Sequence, residues 1–321
     1  MNTQRNPQRS ATETHAAWVY TAHFGLSEAP FTTTPDLRFF FAHESCQIAL
    51  STLMVAIRSG EGFTKVTGEV GTGKTLLCRK FLSTLDENFV TAYIPNPYLE
   101  PMTLLLAVAD ELGVPYPVNV TQHQLLKALT KFLIETYSHY QCTVVVCLDE
   151  AHALPTETLE ALRLLSNLET PRRKLLQLVL FGQPELDQRL DHPSIRQLKQ
   201  RISFSCRLQA LDAQGIEYYI THRLSMAGYR GARLFSPQSL RLIYKASAGV
   251  PRLVNILAHK ALMAAFGEGA HLITDKHVRL AIDDTESVRN GVTRRRLIKY
   301  VSALIGVALL SAGTAVWGGW V

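Results

Sequence analysis

The sequence is poor in the residue patterns that build zinc sites and disulfide frameworks. It has 5 cysteines, Cys46, Cys78, Cys142, Cys147 and Cys206. None forms a CxxC pair, and no histidine cluster supplies zinc-ligand spacing. The odd count and the apolar flanks predict buried, reduced thiols in a cytoplasmic body. The opening stretch MNTQRNPQRSATETH has no apolar run, which excludes a signal peptide. Residues 1–17 read instead as a polar, disordered tail. Net charge is also scarce where it would matter. Of the formal +6, +1 falls in residues 1–15 and +4 in residues 294–321, which leaves +1 for the body between them. A nearly neutral body gives no net-charge argument for a phosphate-tracking surface.

Apolar residues, in contrast, are plentiful. A chain that is 47% hydrophobic and 19% charged can bury a large core, which excludes global disorder. At 321 residues it is long enough for two domains and tails. Residues 18–60 open with aromatic and proline-rich loops. A helix is expected from about Glu44 to Arg58, with Ile48, Leu50, Leu53, Met54 and Ile57 at helical spacing. Strand and helix then alternate: strands at Gly62–Thr67, Phe89–Ile94, Thr143–Leu148 and Leu175–Phe181, helices at Lys74–Leu85, Met102–Leu112, Gln122–Ser138 and Leu159–Leu168. Strands that are apolar on both faces imply a parallel sheet covered by helices on both sides. After about Leu211 only helices are expected, at 213–227, 237–247, 251–266 and 275–284, with starts marked by Ser236-Pro237 and Thr274.

Two motifs carry chemistry. GEVGTGKT, Gly68 to Thr75, is a complete Walker A pattern with a strand before it and a helix after it. Gly68, Gly71 and Gly73 let the backbone N–H groups of Glu69, Val70, Thr72, Lys74, Thr75 and Leu76 wrap phosphates without Cβ clashes. The helix N-terminus adds positive potential at the same point. Lys74 is expected to reach the β- and γ-phosphates of ATP, and Thr75 to offer its hydroxyl to Mg²⁺. VVVCLDEAH, Val144 to His152, supplies an apolar strand ending in two carboxylates. Such strand ends are where ligands bind in parallel sheets. Asp149 is expected to hold Mg²⁺ through water, and Glu150 to polarise the attacking water. His152 reads as a structural turn residue.

These paired motifs followed by a helical domain resemble AAA+ ATPases. HFGLSEAPF, FFFAHESCQIAL, GEVGTGKTLLCRKFL, YIPNP, LDEAH, FGQPEL and GVPRLVNILAHKAL narrow the resemblance to the general secretion pathway protein A family, and within it to members serving type IV pili of the mannose-sensitive haemagglutinin kind. The resemblance covers about residues 20–285. It implies an α/β P-loop NTPase fold of the AAA+ type: a nucleotide-binding domain over 18–211, a helical lid over 212–285 and a basic linker over 286–297. It also implies roles. Asn96 would hydrogen-bond Glu150 and hold it inactive, or serve only as a turn residue before Pro97. Gln183 stands at the first sensor position and Arg252 at the second. Arg201, or else Arg196, would be an arginine finger acting on a neighbouring subunit, which implies a homo-oligomer, a ring being one form of it.

From Tyr300 to Val321 no residue is charged. A helix of that length, at about 1.5 Å per residue, rises roughly 30 Å and crosses a bilayer. Residues 298–321 are therefore expected to span a membrane once, with Arg294–Lys299 on the cytoplasmic side, Tyr300 at the inner interface and Trp317 and Trp320 near the outer one. The combined expectation is an inner-membrane ATPase of a bacterium, facing the cytoplasm and supporting pilus assembly or type II secretion through inner-membrane partner proteins. The family's cell-wall-binding activity is not carried over. A DNA-binding AAA+ regulator of the transposition-ATPase type is the competing expectation, disfavoured by the near-neutral body; salt-dependent DNA binding separates the two. A nucleotide-gated scaffold without turnover is a third, opposed by the complete acidic pair.

Overall fold

The computed structural model describes residues 20–95, 99–165 and 174–288. Asn96, the tail 1–17 and the expected span 298–321 lie outside the described residues. Among the described residues no helix is long and apolar enough to cross a membrane.

The chain divides into two compact units, the larger comprising Thr34–Leu211 and Val250–Arg252. Its centre is a five-stranded sheet of β1 (Phe63–Gly68), β2 (Phe89–Ile94), β3 (Thr143–Leu148), β4 (Leu176–Gly182) and β5 (Ile202–Leu208) in the order β2-β3-β4-β1-β5. Every pairing is parallel. The α/β expectation therefore holds, and parallel strands need helical crossovers to return the chain. α1 (Glu44–Arg58) precedes β1, and the crossovers are α2 (Lys74–Thr84), α3 (Pro101–Glu111), α4 (Gln122–Tyr140) and α5 (Thr156–Leu165), with short α6 (Glu185–Leu190) and α7 (Arg196–Lys199) ahead of β5.

The two faces of the sheet serve two cores, because successive strand residues point to opposite sides. Val144, Val146 and Leu148 of β3 join Leu178 and Leu180 of β4 against Leu104, Leu125 and Leu162. Val145 and Cys147 join Val179 and Phe181 against Leu53, Leu77 and Phe81. The continuous apolar runs of β3 and β4 are thus accounted for residue by residue. In α1 the buried positions are Ala49, Leu53, Ala56 and Ile57. Ile48, expected in the apolar stripe, is 58% exposed. Size-weighted periodicity gives weight to the isoleucine, whereas the small alanines are the residues turned to the sheet. All five cysteines are free thiols; Cys78, Cys147 and Cys206 are buried, and Cys46 and Cys142 only half-buried. Cys142 lies in the connection ahead of β3, where its thiol donates to the Glu87 carbonyl at 3.3 Å.

The second unit is helical: α8 (Ala213–Met226), α9 (Pro237–Ser247), α10 (Pro251–Gly267, from Leu253 onward in this unit) and α11 (Asp275–Asp283). Ser236 caps α9 by accepting from the Ser239 N–H at 3.1 Å, with Pro237 in the first turn. Thr274 stands at the N-cap of α11, and its own N–H donates to His277 Nδ1 at 3.1 Å. Of the described residues, this unit also takes up Tyr20 to Thr33. The division thus falls inside the N-terminal segment rather than at its end. The Ser27 N–H donates to the Ala227 carbonyl at 2.8 Å, and buried Arg223 donates to the Pro30 carbonyl. Tyr219 donates to Asn255 Oδ1 at 2.9 Å, and the Asn255 amide reaches the Thr32 carbonyl at 3.4 Å. Polar groups this deep persist only when they are paired.

Candidate functional site

The site forms at the carboxyl ends of β1, β3 and β4, where the strands hand over to Gly68, Asp149 and Gln183. The loop from Gly68 to Thr75 turns through left-handed backbone at Gly71 (φ +80) and Gly73 (φ +96), conformations that cost side-chain-bearing residues dearly. A Cβ on Gly71 would also stand 2.7 Å from the Cβ of Arg252. The loop runs directly into α2, whose first helical bond is Leu77 N–H to the Gly73 carbonyl at 2.9 Å. Orphan N–H groups at the start of a helix favour negative charge there.

Lys74 is 5% exposed, and its Nζ donates to the carbonyls of Gly68 at 2.8 Å and Glu69 at 3.0 Å. Burial pushes its pKa down; the carboxylates of Glu150, Asp149, Glu69 and Glu185 oppose that shift, Glu150 most strongly. The Thr75 hydroxyl donates to Asp149 Oδ2 at 2.6 Å. Asp149 is 2% exposed; it also accepts from the Glu150 N–H at 3.0 Å and from the Tyr93 hydroxyl at 3.3 Å. Burial raises the Asp149 pKa, and the bonds from Thr75, Glu150 and Tyr93 hold it back. Tyr93 is a site residue that sequence reasoning missed. It reaches Asp149 because β2 pairs with β3 and sets Tyr93 opposite Cys147, a pairing with no local sequence signal. Its own hydroxyl is pushed up to about 12, first by burial and then by the Asp149 charge.

Glu150 sits in left-handed backbone at φ +54, uncommon for a residue with a side chain. Its Oε2 lies 3.4 Å from Gln183 Nε2 and 3.4 Å from His152 Nδ1, and Gln183 Nε2 lies 2.9 Å from His152 Nε2. The sequence reading of His152 as a turn residue is incomplete: the residue does lie in a short 3₁₀ turn, Ala151–Ala153, yet its ring meets both Glu150 and Gln183. The E-x-H spacing was the available signal.

Residues 57–190 match the family described as the AAA domain. General secretion pathway protein A of Aeromonas hydrophila is 39% identical over 302 residues, covering 94% of this chain. The chain is thus similar to general secretion pathway protein A over most of its own length, and the AAA-domain match lies within that stretch. It spans 54% of that relative's length, about half of it. Among solved structures, Cdc6p of Pyrobaculum aerophilum superposes with a TM-score of 0.61 at 19% identity, covering 78% of this chain and 71% of that one. The ORC2 protein of Aeropyrum pernix, solved in ADPNP–ADP complexes, gives 0.58 at 20% identity, covering 79% of this chain and 71% of that one. At such identities the likeness is one of fold.

Within this AAA fold the remaining arginines fall in two places. Arg252, in the first turn of α10, lies against the loop: its backbone N–H donates to the Gly71 carbonyl at 3.2 Å. Arg201 does not join the site. Register pairs Phe63 with Ile202 and Gly68 with Leu208, so Arg201 stands at the opposite edge of the sheet. A strand of this length, at about 3.3 Å per residue, separates the two edges by roughly 20 Å. Arg196 opens α7 and is exposed.

Proposed function

We propose that this chain binds ATP and hydrolyses it, and that it works at a bacterial inner membrane in support of a type II secretion or type IV pilus machine. The observation that carries the first half is the 2.6 Å bond between Thr75 and Asp149, which joins the phosphate loop to the acidic pair at one strand edge. In this reading residues Gly68 to Leu76 cradle the phosphates, with Lys74 as their counter-charge. Two oxygen donors this close suit a hard cation; Mg²⁺ held by Thr75 and Asp149 would offset phosphate charge. Glu150 takes the role of the base that polarises the attacking water, with Gln183 and Arg252 placed beside the phosphates. Asn96 would either hydrogen-bond Glu150 and hold it inactive or serve only as a turn residue before Pro97. The secretion setting is supported by the relative's name and by the identity to it.

Glu150→Gln is the direct test. The amide keeps size and loses basicity, so nucleotide affinity should stay within about threefold while hydrolysis falls about a hundredfold or more. Hydrolysis at the wild-type rate would remove Glu150 from the role.

The membrane half rests on the uncharged run Tyr300–Val321 and the basic residues ahead of it. The full chain should sediment with membranes and need detergent for release. Deleting 298–321 should yield a soluble ATPase. Full-length protein in the detergent-free supernatant would rule out the tether.

A further inference from the structure

Three polar side chains close into a triangle at the carboxyl edge of the sheet. Gln183 Nε2 is 2.9 Å from His152 Nε2 and 3.4 Å from Glu150 Oε2, and His152 Nδ1 is 3.4 Å from the same Oε2. An amide nitrogen can only donate, so in this contact His152 Nε2 accepts, the tautomer that leaves the ring N–H on Nδ1. That N–H is buried and makes no hydrogen bond of good geometry; the Glu150 carboxylate is the charged group beside it. The turn that carries the ring is fixed from the backbone. The Ala153 N–H bonds the Glu150 carbonyl at 2.9 Å, closing the turn. Gly182, whose Cβ would stand 3.3 Å from the His152 backbone nitrogen, lets that turn approach the end of β4. A histidine serving only to shape a turn needs neither contact.

We propose that His152 is a positioning residue that, with Gln183, holds the Glu150 carboxylate in the orientation from which it acts on water. The proposal rests on the ATPase reading above. Gln183 bridges both partners, so a ligand that engages its amide would loosen or tighten the hold on Glu150 through the ring. The triangle therefore couples the end of β4 to the base at the end of β3.

The test measures kcat and KM for ATP on the full chain, with nucleotide binding followed by fluorescence. His152→Ala should lower kcat about tenfold to a hundredfold, the range expected when a reacting group drifts by about 1 Å, with KM within about twofold. His152→Gln should recover most of the rate, because its amide can donate to Glu150 and accept from Gln183. His152→Ala combined with Gln183→Ala should cost little more than the worse single variant, since the two act as one unit. Unchanged kcat in His152→Ala, a change in KM alone, or a Gln variant as slow as the Ala variant would overturn the proposal. If His152→Ala does not fold, His152→Asn replaces it: polar, too short to bridge the two partners, and expected to show the same loss. A wild-type chain that binds ATP but turns it over no faster than Lys74→Ala would overturn the ATPase reading itself, an outcome distinct from wild-type turnover that is indifferent to His152.

Discussion

Arg201→Ala should slow ATP hydrolysis by about 10³–10⁵-fold, the range for removal of an arginine finger from P-loop enzymes, and leave nucleotide affinity nearly intact. The geometry behind this expectation is the pairing of Ile202 with Phe63, which sets Arg201 at the sheet edge remote from the phosphate loop. No rotamer of an arginine spans the roughly 20 Å to its own loop. A second cation, Lys174, stands near it: the Lys174 pKa is lowered first by burial and then by the Arg201 charge. If Arg201 acts on phosphate, it acts on a neighbour's. Two inactive variants decide the matter when mixed. Glu150→Gln subunits keep the arginine and lack the base; Arg201→Ala subunits keep the base and lack the arginine. Mixed assemblies should regain activity wherever an intact site meets an intact arginine. No recovery, with co-assembly shown independently, would refute action in trans by Arg201 and send Arg196→Ala through the same mixing. Confinement to a membrane plane would raise the effective concentration of subunits and favour assembly.

Lys74→Ala should weaken ATP binding about 10³-fold, in keeping with loss of one member of a desolvated charge pair. The effect is large for two reasons. Nζ is the buried cation of the loop, tied to the Gly68 and Glu69 carbonyls. It also offsets the carboxylates of Glu150, Asp149 and Glu69, whose fields converge on it. Without it, an incoming triphosphate meets those acids with no lysine to offset them. Titration calorimetry with ATP in the presence of Mg²⁺ gives the number. Affinity within threefold of wild type would mean that the loop does not hold phosphate through Lys74. The melting temperature in the absence of nucleotide serves as the control, since a lost buried cation also alters stability.

Much of the site could be read from the chain before its folding was known, and the reason is local. The Walker loop, the strand Thr143–Leu148 and the acids after it are contiguous segments whose pattern carries their chemistry. The start of α9 at Ser236-Pro237 is likewise a statement about adjacent atoms. What escaped is what depends on partners distant in sequence. Parallel strand order has no local signature, so the meeting of Tyr93 with Asp149 could not be read from either. His152 reads as a turn residue because its turn is local, while its contact with Gln183 requires β4 beside β3. Order along the chain groups the N-terminal segment with the nucleotide-binding body; the Pro30 and Thr32 carbonyls nevertheless pair with buried Arg223 and Asn255 of the helical unit. In α1, Ile48 drew weight by its size, yet Ala49 and Ala56 are the buried neighbours.

The alternation along β3 and β4 makes misalignment conspicuous to the cell. A slip of β3 by one residue would turn Val145 and Cys147 into the core that Val144, Val146 and Leu148 fill, and send those three into the other. The same slip would carry Asp149 about 3.3 Å along the strand, out of reach of Thr75. An ill-registered sheet thus damages two interiors and the acid pair together. Damage to this strand should therefore register in protein abundance, through proteolysis of chains that never close, and the chains that survive should carry the acid pair correctly set.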